Sequence, residues 1–487
     1  MTVLKKLAGQ TAIYGLSSII GRLLNFLLVP LYTSIFVPSD YGVLSVLLSL
    51  VAFAMVVLTY GLETSFFHFA TKEKNSEAVF TTGFLSLIAT TLLFLVLAIP
   101  QSSLIAELLH ISENENFVTY LIWILAFDVL SSLPFAKLRL DNKPWHFASI
   151  RIVNICVNIG LNLFFFLLCP YLVKQGYAAS FIDSFYDPSF GIGYIFIAYF
   201  TSSLLTFLLL LPKVFKVKFT FDYALWKKMI TYGFPLLFSG LAYVTNEMVD
   251  RFLLDYLLPA DIASTQVGIY SACYKIAIFM SLFIQAFRYG AEPFFFAQAQ
   301  KEGAKDQYAS VMRYFVAFTG LIFLVVNVYI DIIKGFLRND AYHEGLAVVP
   351  ILLLANLFSG IYFNLSVWYK VSDKTRFGAY LSIFGALLTI SFNILLIPSF
   401  SYIGSAWATL ICYSSMCLAS YVLSRRYYPI PYDSKRIFTY LISALSLFYI
   451  WSVCHDDYFV LSTLLCLVYM FIVLVLEKRK KSSTFKH

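Results

Sequence analysis

The chain has 487 residues, 60% of them hydrophobic and only 13% charged, with a mean hydropathy of +0.79. An ordinary soluble enzyme or nucleic-acid-binding domain of that length is excluded by such a balance, and a polytopic helical membrane protein is indicated. The formal net charge of +8 calls for no nucleic-acid partner, because topology signals and lipid headgroups account for it.

A bilayer core of ~30 Å needs ~20 apolar residues per helix. Stretches of that length recur in chain order at 9–35, 41–70, 80–104, 117–136, 145–170 and 191–211. They continue at 226–258, 268–296, 308–333, 345–369, 377–397 and 403–423, with a closing pair at 437–453 and 458–476. The first is too long for a cleavable leader and lacks a small-residue cleavage site, so it reads as a true span. The expectation is an all-α membrane protein with about 14 transmembrane helices.

Loop cations orient these spans, since Lys and Arg accumulate in cytoplasmic loops. With the N-terminus inside, the alternate loops and the Lys478–Lys486 tail hold 27 of the 35 basic residues. The opposite loops hold Lys174, Lys334 and Arg338. Both termini are therefore expected to be cytoplasmic. Six of the seven cysteines lie in apolar stretches, and none is spaced with a histidine as a metal ligand would be, so neither a disulfide framework nor a metal site is expected.

The second half of the chain echoes the first. Arg22 and Pro30 recur as Arg251 and Pro259 at an offset of 229 residues, Asp141 recurs as Asp373 at 232, and Asn162 as Asn393 at 231. Six spans per unit is an even number, so both units enter the membrane the same way round. Such parallel repeats relate by an axis along the membrane normal. The expected organisation is a six-helix bundle over 1–212, a cytoplasmic linker over 213–227, a second six-helix bundle over 228–424, and a helix pair with a basic tail over 425–487. The linker interleaves Lys213, Lys216, Lys218, Lys227 and Lys228 with Phe215, Phe219, Phe221 and Trp226, a pattern suited to the membrane surface.

Ionisable side chains at membrane depth must face a partner or water. Arg22 stands in the middle of its span with no acid in the same helix, and Lys275 has Ser271 and Phe279 four positions away. Together they favour an anionic substrate. Arg151, close to the loop end of its span, is expected to extend toward the surface. In the seventh span Glu247, Arg251 and Asp255 follow one another every four residues, beside Asp250. They read either as an intrahelical ion ladder or as a carboxylate cluster that couples transport to protons or sodium. Arg288 and Glu292 have the same spacing and are expected to neutralise each other. Glu63 and Asp128 are further acids at depth, and the prolines within spans (Pro30, Pro134, Pro235, Pro293) allow bending.

The segments Gly21-Arg22-Leu23-Leu24-Asn25, Pro38-Ser39-Asp40-Tyr41-Gly42-Val43, Asp250-Arg251, Val267-Gly268-Ile269-Tyr270-Ser271, Gln285-Ala286-Phe287-Arg288 and Glu292-Pro293 resemble those of the polysaccharide-export (Wzx-type O-antigen or capsule repeat-unit) flippases. These belong to the multidrug/oligosaccharidyl-lipid/polysaccharide exporter superfamily. The resemblance covers essentially the whole chain, including the 6+6+2 arrangement. It implies a non-enzymatic flippase of the bacterial plasma (inner) membrane that moves undecaprenyl-diphosphate-linked oligosaccharides to the outer leaflet by alternating access. It further implies coupling to a proton or sodium gradient, with no bound cofactor, and partnership with membrane lipids, an envelope polysaccharide polymerase and glycosyltransferases. Carried onto this sequence, Arg22, Arg251 and Lys275 become the substrate-binding cations. Asp40, Glu63, Asp128, Glu247 and Asp250 become the coupling or gating acids. The competing expectation is a multidrug and toxin cation antiporter. The first span lacks the acid such extruders carry there. A membrane-embedded glycan transferase would want a catalytic polar loop, and the longest outer loop, 171–190, holds no histidine.

Overall fold

The computed structural model describes residues 21, 23–24, 26–72, 75–109, 111, 114–176, 184–215, 217–299, 301–454 and 458–484. Arg22 and the beginning of the first expected span lie outside the described residues. The chain forms two compact units, Met1–Asp255 and Tyr256–His487. Eleven helices among the described residues are long and apolar enough to cross a membrane.

In the first unit, α1 (Val29–Ile35) leads into α2 (Pro38–Thr59), which starts with a proline in its first turn and Asp40 near the positive end of the helix dipole. The second expected span, 41–70, is not one helix. Tyr60 and Gly61 adopt left-handed φ of 35° and 71°, and α3 (Leu62–Ala70) begins after this break. The Asn75 side chain caps α4 (Ser76–Ala98), and a short α5 (Ser102–Leu108) follows. Next come α6 (Glu115–Leu140) and α7 (Pro144–Leu163), joined by a tight turn with Asn142 at φ 53°. A π-helical turn, Phe164–Leu168, carries α7 into α8 (Cys169–Gln175), and α9 (Gly193–Val214) closes the set.

The seventh span is α10 (Tyr223–Leu257), and it packs on the first unit. Met229 and Leu225 enter a core with Leu62, Phe66, Phe80, Val129 and Leu133. A Cβ added to Gly61 would stand 2.5 Å from the Gly233 carbonyl oxygen, and one added to Gly240 would stand 2.9 Å from Val56. Small residues therefore let α10 cross the α2–α3 break at backbone contact, and the Ser65 hydroxyl donates to the Met229 carbonyl there. The stretch before α10 is tied to α4: Thr81 donates to the Thr220 carbonyl, the Asp222 amide to Thr82, and the Trp226 indole to Ser86.

The second unit contains α11 (Ala260–Gln298), α12 (Ala304–Val328) and a short α13 (Ile330–Ile333). It continues with α14 (Val348–Leu365), α15 (Val367–Val371), α16 (Arg376–Tyr427), α17 (Ser434–Val453) and α18 (Tyr458–Thr484). Spans eleven and twelve are the two arms of α16, bent at Ser401 with φ 49° and ψ −136°. Gly191, 210 residues earlier, has φ 51° and ψ −124°. The duplication is thus present in the backbone. Asn142 and Asp373 share a left-handed conformation (φ 53° and 56°). Asn162 and Asn393 are fully buried, and each amide donates over 2.7 Å to the carbonyl four residues back.

The closing pair, α17 and α18, docks on α12 through polar contacts. Tyr469 donates to the Ala317 carbonyl beside Gly320, and Ser462 donates to the Val328 carbonyl. Arg313, 4% exposed, lies 2.8 Å from Glu477, which also accepts from the Tyr440 hydroxyl at 2.8 Å.

Gly61→Ala is expected to lower the unfolding midpoint of the purified protein, since a left-handed non-glycine residue alone costs about 1–3 kcal/mol and here its Cβ also meets backbone. An unchanged midpoint would remove the crossing from the stability argument. Glu477→Ala should cost about 3–5 kcal/mol by stranding Arg313, and Arg313→Met combined with Glu477→Leu should recover most of it. A double variant as unstable as the single would show that the pair itself is not what holds the hairpin.

Candidate functional site

Within the first unit, α6, α7 and α9, with Met55 and Glu63 from α2 and α3, enclose a cavity of about 420 Å³. Its walls are unusual for a bundle this apolar. α6 contributes Asp128, Ser131, Ser132, Phe135 and Arg139, and α7 contributes Phe147, Arg151 and Asn154. From α9 come Tyr199, Ser202, Ser203 and Thr206. The three- and four-residue spacings place these groups on one face of each helix, which the fold turns inward.

Four charges stand in the wall. Arg139 pairs with Glu63 and lies 5.0 Å from the Phe67 ring. Arg151 does not extend away, as its position near the span end suggested. Its guanidinium sits 4.4 Å from the Phe135 ring and 5.7 Å from Phe147, an arrangement in which the ring quadrupole replaces lost water. Among the described residues, neither Asp128 nor Arg151 forms an ion pair, and Ser203 faces the Asp128 carboxyl. The Asn154 amide is held by the Ser202 carbonyl at 3.0 Å and the Thr206 hydroxyl at 2.9 Å, fixing α7 to α9. Ser131, 3% exposed, leaves its hydroxyl without a partner.

The remaining site expectations fall elsewhere. Asp40 lines a separate recess with Glu107, Asn114 and Ser189. Asp250 and Arg251 are buried on α10. The Arg251 guanidinium donates to the Asp250 carboxylate at 2.6 Å and to the Glu247 main-chain carbonyl at 2.7 Å. In the second unit Lys275 is half-buried on α11. The expected Arg288–Glu292 neutralisation is not formed. Glu292 pairs with Lys370 at 2.7 Å, and Arg288 lies 4.8 Å from the Phe363 ring, because Lys370 on α15 reaches the carboxylate that the helix neighbour leaves open. A larger recess near Phe279, Leu321 and Phe336 is lined by apolar side chains and offers nothing to orient a polar ligand.

The Glu292–Lys370 pair repeats Glu63–Arg139 at offsets of 229 and 231 residues. The cavity is not repeated. At the 231 offset Asp128, Ser131 and Arg151 correspond to Ser359, Tyr362 and Ser382, and Tyr362 is hydrogen-bonded to Ser382.

Duplicated helical units and a charged, hydroxyl-lined cavity inside an apolar bundle define a membrane transporter and not an enzyme. The chain belongs to the polysaccharide biosynthesis protein family, whose pattern it matches over residues 7–296. It also matches the MatE family over residues 235–395. No curated protein sequence matches it significantly. Among solved structures it is similar to the lipid II flippase MurJ in an inward closed conformation, at 14% identity and a TM-score of 0.69 over 96% of this chain and 98% of that one. It is also similar to a multidrug resistance MATE family transporter of the MOP superfamily in its inward-facing conformation. There the identity is 11% and the TM-score 0.67, over 86% of this chain and 95% of that one. The outward-facing form of such a transporter gives 13% identity and a TM-score of 0.58 over 89% and 96%. The fold is that shared by these flippases and transporters.

Glu63→Gln and Arg139→Gln, alone and together, should yield a coupling energy of about 0.2–1 kcal/mol in a stability cycle, the range for half-exposed pairs. Zero coupling would reduce the repeated pair to a coincidence of position.

Proposed function

We propose that the protein carries undecaprenyl-diphosphate-linked oligosaccharide repeat units from the cytoplasmic to the outer leaflet of a bacterial inner membrane. The observation that carries this reading is the charged, hydroxyl-rich cavity in a chain of the polysaccharide biosynthesis family. A glycan presents many hydroxyls and an isoprenoid diphosphate presents concentrated negative charge. Hydroxyl, amide and guanidinium groups on desolvated walls suit both. The similarity in fold to MurJ, described as a lipid II flippase, supports a lipid-linked substrate.

In this reading the fourteen spans place both termini in the cytoplasm, with bundles at 1–212 and 228–424 joined by the 213–227 segment. Arg22 and Arg251, equivalent across the duplication, take the diphosphate, with Lys275 assisting. Asp128 and Glu63 supply the protonatable or sodium-sensitive carboxylates, with Asp40, Glu247 and Asp250 as gating acids. The cargo would come from glycosyltransferases and pass to an envelope polymerase for O-antigen or capsule. A multidrug antiporter is the second reading, favoured by the MatE match and by Asp128 standing in the cavity without a salt bridge among the described residues.

Proteoliposomes carrying a short-chain isoprenoid-diphosphate oligosaccharide discriminate the two. Wild-type protein should translocate the lipid faster under an imposed ion gradient. Arg22→Ala and Arg251→Ala should each slow it at least tenfold, equivalent to about 1.4 kcal/mol or more, while still eluting as folded protein. Unchanged rates in both variants would keep the flippase and remove the arginine site. Absence of lipid translocation together with efflux of cationic dyes would sink the flippase reading.

A further inference from the structure

We infer that the cavity of the first unit is a binding site for an oxyanion, gripped by Arg151 and the Ser131 hydroxyl and admitted only when Asp128 carries a proton. The oxyanion is the carboxylate of an acidic sugar or a phosphoryl group; that such a group reaches the cavity on a carried glycolipid rests on the flippase reading above.

The inference starts from Arg151. A guanidinium stacked across Phe135 with Phe147 beside it keeps its planar donor edge for a ligand in its plane, and that edge matches a carboxylate or a phosphoryl group in a two-pronged contact. Stacking fixes the fork without consuming its donors. Ser131 adds a second, independent sign. Its hydroxyl is almost fully buried, lines the cavity and has no hydrogen-bond partner, a state normally relieved by a bound group.

Asp128 decides when an anion enters. The charged or titratable groups facing it across the cavity are Glu63 on α3, Arg139 on α6, Arg151 on α7 and Tyr199 on α9. Glu63 and Arg139 neutralise each other, so the fully ionised cavity holds one unspent cation and one unspent anion. An incoming oxyanion would then meet Asp128 carboxylate to oxygen in a poorly hydrated space, and one of the two must be neutralised. Proton uptake by Asp128 is the available route. By linkage, an anion at Arg151 raises the proton affinity of Asp128, so anion affinity rises as pH falls.

The duplication supports a dedicated site. In the second unit the equivalents of Asp128 and Arg151 are serines, and Tyr362 stands where Ser131 leaves space. The pair Glu63–Arg139 survives there as Glu292–Lys370, so the ion pair belongs to the common scaffold and the cavity charges to the first unit alone.

The test is calorimetric titration of the full-length protein in detergent with sodium glucuronate and, separately, pyrophosphate, using glucose as the neutral control, at pH 6 and pH 8. Glucuronate or pyrophosphate should bind at least fivefold tighter at pH 6, and whichever binds more tightly identifies the source of the oxyanion. Asp128→Asn should bind as tightly at pH 8 as wild type does at pH 6 and lose the pH dependence. That comparison also separates Asp128 from titration of pyrophosphate itself. Arg151→Gln should weaken binding at least tenfold and Arg151→Lys severalfold, because a point charge lacks the fork. Ser131→Tyr should block the site, whereas Lys435→Gln, an exposed cation, should change nothing. Equal binding by wild type and Arg151→Gln, weaker binding by Asp128→Asn, or no binding of either anion would overturn the proposal. Each of these results leaves the translocation assay free to support the flippase, and a failed translocation assay leaves this binding test intact.

Discussion

A hydrocarbon layer offers no water to an exposed peptide group or charge, and this chain satisfies each of its buried ones from within its own units. Where α2 breaks at Tyr60–Gly61, Gly233 brings the α10 backbone against the gap and Ser65 donates across it. Where cations lie deep, each is given a carboxylate, a carbonyl or an aromatic face: Arg251 has Asp250 and the Glu247 carbonyl, Arg313 has Glu477, and Arg151 has Phe135 and Phe147. The helices therefore pack where these requirements are met. In lipid, apolar matching alone would leave them indifferent to one another.

The two units meet the same constraint with different reserves. The second spends its polar groups on closure: Trp368 donates to Ser420, Tyr362 bonds Ser382, and the α17–α18 pair is stapled to α12 by hydroxyls and one ion pair. The first keeps a cavity in which Ser131, Asp128 and Arg151 are incompletely satisfied. Incomplete satisfaction is energetically unfavourable in an empty bundle and becomes favourable only with a ligand or a proton in place. Such a difference between duplicated halves assigns scaffold duties to what they share and chemistry to what they do not.

Much of the fold is legible in the sequence because bilayer thickness imposes a length and loop cations impose a parity. The repeat is legible for a simpler reason: Asn162 and Asn393, or Asn142 and Asp373, hold matching backbone and buried-amide roles that few other residues fill. The internal breaks are less legible. Tyr60–Gly61 sits inside an unbroken apolar run, and only the partner helix bearing Gly233 explains why a left-handed pair is tolerated there. The cavity was half visible. Glu63 and Asp128 stand out as acids among apolar residues, but their company depends on which faces of α6, α7 and α9 converge. Arg151 was misread through its closeness to a loop, and Arg288–Glu292 through a helical spacing that Lys370 overrides. The recurrence of Ser131, Ser132, Ser202, Ser203 and Thr206 on three-to-four spacing in two apolar helices was the available signal, since hydroxyls gathered on one face of a span ask for a polar counterpart.

The placement of α10 bears on how the protein is made. By charge and composition the chain divides at the basic segment before α10, yet Leu225 and Met229 belong to the same core as Leu62, Phe66 and Phe80, and the compact units meet at Asp255 and Tyr256. The first bundle to leave the ribosome is thus unfinished when its sixth span has inserted. It must wait in the bilayer with the Gly61 break uncovered until the seventh arrives. A nascent-chain pause or a chaperone acting on this protein would find its longest-lived open intermediate there, and a gene divided into two co-expressed pieces would assemble from a cut just after α10 rather than from one in the linker.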